Sequence, residues 1–447
     1  MSRPRVIVVG AGVAGLSAAF RLQQQGCVVT VLEADDHVGG KTASIRRDGF
    51  VLNTGATVLA DSYTAMRTLA REAGVGDRLV APPAVIGVVR DDRVHELRAA
   101  GLGAIVDFAR TPLLSPRSKL RLLRTFVDLL RSRAKVGFDR VEVSAVLDTE
   151  SVGTYCDRKL DAEIRDHLLG PVLGGIYVVD GPSLSVLALW FTIWKVLLGG
   201  LLGYRGGLDF FARALADRLD VQTSSRVTAV TRDGRGAVVA WEGPDGPRSE
   251  RVDGVVLTVP APRVAEIFPE LDPSVGRLLG DALEPANYVS IRFALSRRPA
   301  GRSVLTVAGT GQLGSLATIS YEHQLSPGSA PEGKGLIGVL LYHEWVTPRW
   351  DWTDEELVAQ ALNDLERIEP GIGEHVEFTQ VDRWSPAALR AVPGSHRTIA
   401  ELDRLLDPAD SVQLAGDYRG MQSVNGSIVS GETAARNLGW TLFGGRT

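Results

Sequence analysis

The stretch RVIVVGAGVAGLSAAFRLQQQGCVVTVLE, Arg5 to Glu33, decides the fold. Arg5 to Val9 is a short β-branched run stopped by Gly10, the pattern of a buried parallel strand. Leu16 to Gln25 carries helix formers and ends at Gly26, which suits a helix C-terminal turn. Val28 to Leu32 reads as a second strand, closed by Glu33. Strand, glycine turn, helix, strand and acid within about 30 residues make a βαβ unit. Gly10, Gly12 and Gly15 fall where that unit cradles a dinucleotide. The first glycine permits the turn, the second admits a pyrophosphate against the backbone, and the third lets helix and strand pack. Ala14 lies in the same turn, at the helix N-terminus that faces the phosphates. Glu33 stands where a carboxylate accepts hydrogen bonds from ribose hydroxyls and repels a 2′-phosphate.

Outward from this unit, the 447 residues suggest two or three lobes. With 45% hydrophobic residues the chain is globular, and 49 Lys+Arg against 53 Asp+Glu argue against general nucleic-acid binding. The two cysteines, Cys27 and Cys156, exclude a disulfide scaffold and a cysteine-rich metal site, and no metal is expected. The start MSRPRVIVVGAG lacks the apolar core of a signal peptide, so the plain reading is cytoplasmic.

From Ala60 to about Tyr204 the periodicity is mostly helical. Ser118 to Ser132 spaces Leu120, Leu123, Phe126, Val127 and Leu130 as one helix would. Gly206 to Leu219 reads as a helix, whereas TSSRVTAV, GVVLTVP, Tyr288 to Leu295 and Gly335 to Tyr342 read as strands. The last 35 residues read as strand, turn and helix.

Beyond Glu33 come Ala34, then Gly39, Gly40 and Lys41, and later GFVLNTGATVL with Gly55, Ala56 and Thr57. This E-x5-GG-K run with its later glycine turn resembles the FAD site of the flavin amine oxidase, protoporphyrinogen oxidase and carotenoid desaturase superfamily. Lys41 and Asn53 depart from the Arg and Asp usual there. LAGDYRGMQSVNGSIVSGETAARNL, Leu414 to Leu438, is similar to the superfamily's last flavin motif. That likeness implies that Gly416 and Asp417 approach the cofactor. It also implies that Ser423, Val424 and Asn425 begin a helix aimed at the flavin, and that Val227 contacts it on the adenine side.

The resemblance therefore implies an α/β architecture: a discontinuous Rossmann-type FAD domain (1–75, 205–275 and 396–447) interleaved with a substrate domain (76–204 and 276–395), part helical cap and part mixed sheet. LLGPVLGGIYVVDGPSLSV (Leu168 to Val186), GYRGGLDFFARALADRL and RWSPAALRAVPGSHR (Arg383 to Arg397) look most like protoporphyrinogen oxidases. The implied activity is an FAD-dependent oxidoreductase that takes hydride from a hydrophobic, cyclic organic substrate and passes electrons to oxygen or a quinone-like acceptor. A flavin amine oxidase-like enzyme, a carotenoid-type desaturase and a non-redox flavoprotein stay as alternatives.

No catalytic side chain stands out. His323, His343, His375 and His396 have no ligand spacing, and Tyr177, Tyr342 and Tyr418 are candidates for a substrate wall. Leu184 to Leu202 is apolar enough to brush the length of a membrane span, yet a helix lining a hydrophobic cavity is the favoured reading. Arg110 to Arg140 holds nine Lys/Arg (110, 117, 119, 121, 124, 131, 133, 135, 140), which suits peripheral contact with anionic lipid, attraction of a polycarboxylate substrate such as a porphyrinogen, or a solvated helix face.

Overall fold

In the computed structural model the described residues are 3–98, 102–139 and 141–444. Arg140, one of the nine basic positions, lies outside them. The βαβ unit forms as expected: strand Arg5–Val9, helix Val13–Gln24, strand Val28–Leu32. Its two strands pair in parallel with Val6 beside Val29 and Val8 beside Val31. Three distant segments extend this sheet, all in parallel, in the order Asp220–Gln222, Val28–Leu32, Arg5–Val9, Gly254–Leu257, Val412–Leu414. Successive side chains alternate between its faces, and both are covered. Val6 and Val8 join one apolar cluster, with the Val13–Gln24 helix and the Val186–Phe191 helix. Ile7 and Val9 join another, with the antiparallel meander of Arg226–Asp233, Gly236–Gly243 and Gly246–Val252.

A seven-stranded mixed sheet forms the second layer system. Its order is Val376–Leu389, Pro285–Leu295, Gly335–Leu341, Leu316–Tyr321, Leu305–Val307, Val85–Arg90, Arg93–Arg98. All pairs are antiparallel except Leu305–Val307 with Val85–Arg90. The last helix, Val424–Phe443, packs back on the first, and a Cβ at Gly431 would sit 2.2 Å from the Ala14 carbonyl oxygen.

Two details depart from expectation. Within the mostly helical region 60–204, Val85–Arg90 and Arg93–Arg98 instead form a hairpin turned by Asp91 and Asp92, both at positive φ. Paired with Leu305–Val307, it has no helical role to play. Nor is Ser118 to Ser132 one helix: Pro116–Arg121 and Phe126–Ser132 are joined by a 3-10 turn over Leu122–Thr125. Leu120, Leu123, Phe126, Val127 and Leu130 face outward, each more than half exposed.

Candidate active site

Two cavities meet at the C-terminal end of the parallel sheet. The first, about 380 Å³, is a groove that gathers Gly10, Gly12, Ala14, Glu33, Ala34, Gly39, Gly40, Lys41, Val227, Gly416 and Asp417. Gly10 has φ +104, a turn open to glycine, and the Thr258 hydroxyl donates to the Val9 carbonyl across it. Gly15 lies behind the groove wall, where a Cβ would be 1.9 Å from the Gly10 carbonyl oxygen, so its smallness serves packing. Gly12 differs. A Cβ there would meet no protein atom within 4 Å, so only an occupant of the groove would require a glycine. A helix of twelve residues begins at Val13, and its first N–H groups lack intrahelical partners, as a phosphate site needs. Glu33 ends the second strand; its carboxylate accepts from the Ala11 N–H at 2.6 Å and the Asp35 N–H at 2.9 Å. These features fit an adenine dinucleotide.

The second cavity, about 270 Å³, adjoins the first, and Val13, Lys41, Thr42, Asp417 and Ser427 border both. Gly55, Ala56, Thr57, Ser423 and Val424 line it, so the remaining motif residues converge here. The close approach at Gly55 is backbone on backbone: the Ala56 N–H donates to the Lys41 carbonyl at 2.8 Å, and a Cβ on Gly55 would be 2.6 Å from that oxygen. Ser423 caps the last helix by accepting from the Gly426 N–H, which leaves that 20-residue helix pointing its N-terminus at the junction. Lys41 Nζ and Asp417 Oδ2 pair at 2.7 Å where the cavities join. Asn425 points elsewhere: fully buried, it accepts from the Met66 N–H and lines neither cavity.

Apart from that ion pair the second cavity is lined by neutral side chains, among them Val58, Val172, Ile176, Leu305, Val307 and Leu340. Phe191, Val196, Leu197 and Leu201 also border it, so the apolar 184–202 segment lines a cavity, as a helix over Val186–Phe191 followed by a π-turn. No helix among the described residues is long and apolar enough to cross a membrane.

Of the three tyrosines, only Tyr177 is on the wall. Tyr342 is buried with its hydroxyl donating to the Ala308 carbonyl, and Tyr418 is enclosed beneath the Lys41–Asp417 pair. Tyr63 and Tyr288, missed in the sequence for want of any local motif, line the cavity instead. Burial pushes the phenols of Tyr177 and Tyr288 up to about 12 and that of Tyr63 higher, so all three remain protonated. None of the four histidines borders the cavity. His323 is held by the Leu336 backbone, and His396 is enclosed at the start of the Ser395–Leu405 helix. The site therefore holds no free general base among its described lining residues.

Behind the wall lies a buried charge network. Arg292, 1% exposed, donates through Nε to Glu322 Oε1 at 2.7 Å and through Nη2 to Thr57 Oγ1 at 2.8 Å. Asn53 donates to Glu322 Oε2 at 2.9 Å and to the Tyr204 hydroxyl at 3.0 Å, while its own carbonyl accepts from the Leu208 N–H. Tyr204 in turn donates to the Thr57 carbonyl. Burial pushes the Glu322 carboxyl up and Arg292 holds it down. The network fixes the turn from Asn53 to Thr57 from behind.

Comparison with known proteins agrees with this geometry. A family model described as flavin containing amine oxidoreductase matches residues 13–439. The chain is similar to "Coproporphyrinogen III oxidase" of Bacillus subtilis, 23% identical with 91% of this chain and 92% of that protein covered. It is 22% identical to "Protoporphyrinogen oxidase 2, chloroplastic/mitochondrial" of Arabidopsis thaliana, covering 97% and 94%. Among solved structures, cyclohexylamine oxidase from Brevibacterium oxydans superposes with a TM-score of 0.75 at 19% identity, covering 99% of this chain and 100% of that one. At that identity the likeness is one of fold.

Proposed function

The chain belongs to the flavin-containing amine oxidoreductases and is an FAD-dependent oxidoreductase, and from that premise we propose that it oxidises a hydrophobic, cyclic organic substrate, as the relatives named for porphyrinogens do. The observation that carries the proposal is the apolar cavity opening directly onto the cofactor groove at Lys41, Thr42 and Asp417. FAD, when bound, would supply the acceptor for the hydride of a substrate C–H bond, reoxidised by oxygen or a quinone-like compound, and loss of a proton from the neighbouring N–H or C–H to bulk solvent would leave a π bond in the product. The chain's residues position and exclude water. Gly10, Gly12, Ala14 and Gly15 form the phosphate turn, and Glu33 takes the ribose, with Ala34, Gly39, Gly40 and Val227 about it. Lys41, Gly416 and Asp417 take the middle of the cofactor; Gly55, Ala56, Thr57, Ser423, Val424 and the Asn425 backbone take the ring end. Tyr177 belongs to the substrate wall.

We assign the FAD domain to 1–75, 205–275 and 396–447 and the substrate domain to 76–204 and 276–395. The segments that feed the parallel sheet and those that feed the seven-stranded sheet support this division. Peripheral contact with an anionic membrane belongs to the same proposal. Leu120, Leu123 and Phe126 are 68%, 70% and 58% exposed among Arg117, Lys119, Arg121 and Arg124. Trp194, on the cavity-lining π-turn, donates to the Leu129 carbonyl and so ties this outward face to the cavity wall.

Anaerobic mixing of the holoenzyme with cyclic hydrophobic compounds and with amines tests the reading. Flavin bleaching by the cyclic compounds supports it. Bleaching by amines alone, with amine-dependent peroxide release in air, replaces it with the amine oxidase reading.

A further inference from the structure

The charge content of the substrate cavity goes further than the proposed function. Lys41 and Asp417 are the only charged side chains among its described lining residues, and at 2.7 Å they neutralise each other. The cation behind the wall, Arg292, does not border the cavity; it pairs with Glu322 through Nε and donates to Thr57 through Nη2, while its buried Nη1 has no partner. What remains is aliphatic and aromatic surface with neutral polar groups only, the hydroxyls of serine, threonine and tyrosine side chains and the amide of Gln422. Thr318 is itself spent on the Gly175 carbonyl, and Ser320 on that of Gly338.

A carboxylate brought into such a space loses its hydration and gains no counter-ion, and an ammonium group fares no better. An uncharged ring system loses nothing and buries apolar area. The relatives are named for porphyrinogens, which carry propionate side chains, and the structural neighbour for an amine. The side chains lining this cavity offer neither kind of charge an unpaired counter-ion.

We infer that the part of the substrate entering this cavity carries no ionised group, so that the enzyme selects neutral, apolar cyclic substrates against carboxylated or ammonium-bearing ones. The inference rests on the proposed function, which places the substrate in this cavity.

The test compares protoporphyrin with its dimethyl ester as ligands of the FAD-loaded enzyme, read as perturbation of the flavin spectrum in the same detergent. It then compares the corresponding porphyrinogens as reductants under anaerobic conditions. The ester should bind and bleach with an advantage of about tenfold or more, the ratio that 1.4 kcal/mol produces. Val172→Arg places a cation on a half-buried stretch of the wall and should narrow or reverse the preference. Ile86→Lys, on a different element of the same wall, makes the same test should that variant misfold. Equal or tighter binding of the free acid to the unaltered enzyme overturns the inference and leaves the proposed function standing. If neither form perturbs or bleaches the flavin, and amines alone bleach it, both fall together.

Discussion

Gly12 and Gly15 are both glycines of one motif, yet they do different work. Gly15→Ala drives a methyl group into the Gly10 carbonyl and should fail to fold or lose several degrees in Tm. Gly12→Ala has open space on the protein side, so it should fold with an unchanged melting curve as apoprotein and retain little FAD. Thermal melts of the apo forms, beside flavin content after gel filtration, separate the two. Glu33→Ala should likewise lower FAD retention, and full flavin occupancy in that variant would contradict the ribose assignment. Asn53 shows why its departure from the usual aspartate matters. Its amide donates to Glu322, so Asn53→Asp would set two carboxylates together in a buried site. That change should cost about 1–3 kcal/mol or more, read as a shifted denaturation midpoint, with Glu322→Gln partly restoring it.

At the scale of elements, legibility followed the range of the forces involved. The βαβ unit and the last strand and helix were readable because glycine turns, β-branched runs and helix periodicity are local. Gly39, Gly40 and Lys41 were readable through the resemblance of the E-x5-GG-K run to the superfamily's FAD site. The hairpin of Val85–Arg90 and Arg93–Arg98 was not, since its place depends on Leu305–Val307, more than 200 positions away. Tyr63 and Tyr288 reach the cavity, and Tyr342 and Tyr418 do not, through tertiary packing alone. The Ser395–Leu405 helix adds a pH effect. Both ring nitrogens of buried His396 lack partners, and Asp148 accepts from the His396 and Arg397 N–H groups. Burial holds the His396 imidazole below the ordinary histidine value, against the pull of Asp148. The unfolded chain thus binds the proton more readily, and stability is lost as pH falls below about 6.5, the ordinary histidine value. His95, His167 and His323 act in the same direction. Tm measured between neutral pH and pH about 5 should therefore fall, and His396→Phe should make that slope shallower by up to about 1.4 kcal/mol per pH unit.

For the whole molecule, a parallel sheet presents the cofactor groove, a mixed sheet walls an apolar cavity, and the two meet at Lys41 and Asp417. The outward apolar face on Pro116–Arg121 and Phe126–Ser132 lies one layer from that cavity through Trp194. Leu123→Asp with Phe126→Asp changes only exposed side chains. It should leave Tm nearly unchanged and reduce co-sedimentation with anionic vesicles several-fold; unchanged co-sedimentation would remove the membrane from the account. The most direct test of the central claim is the visible absorption spectrum of the purified protein, followed by anaerobic addition of a neutral cyclic substrate such as a porphyrinogen ester. The account predicts the bands of oxidised flavin and their bleaching by that compound. A flavin that amines bleach and no cyclic compound does would contradict it.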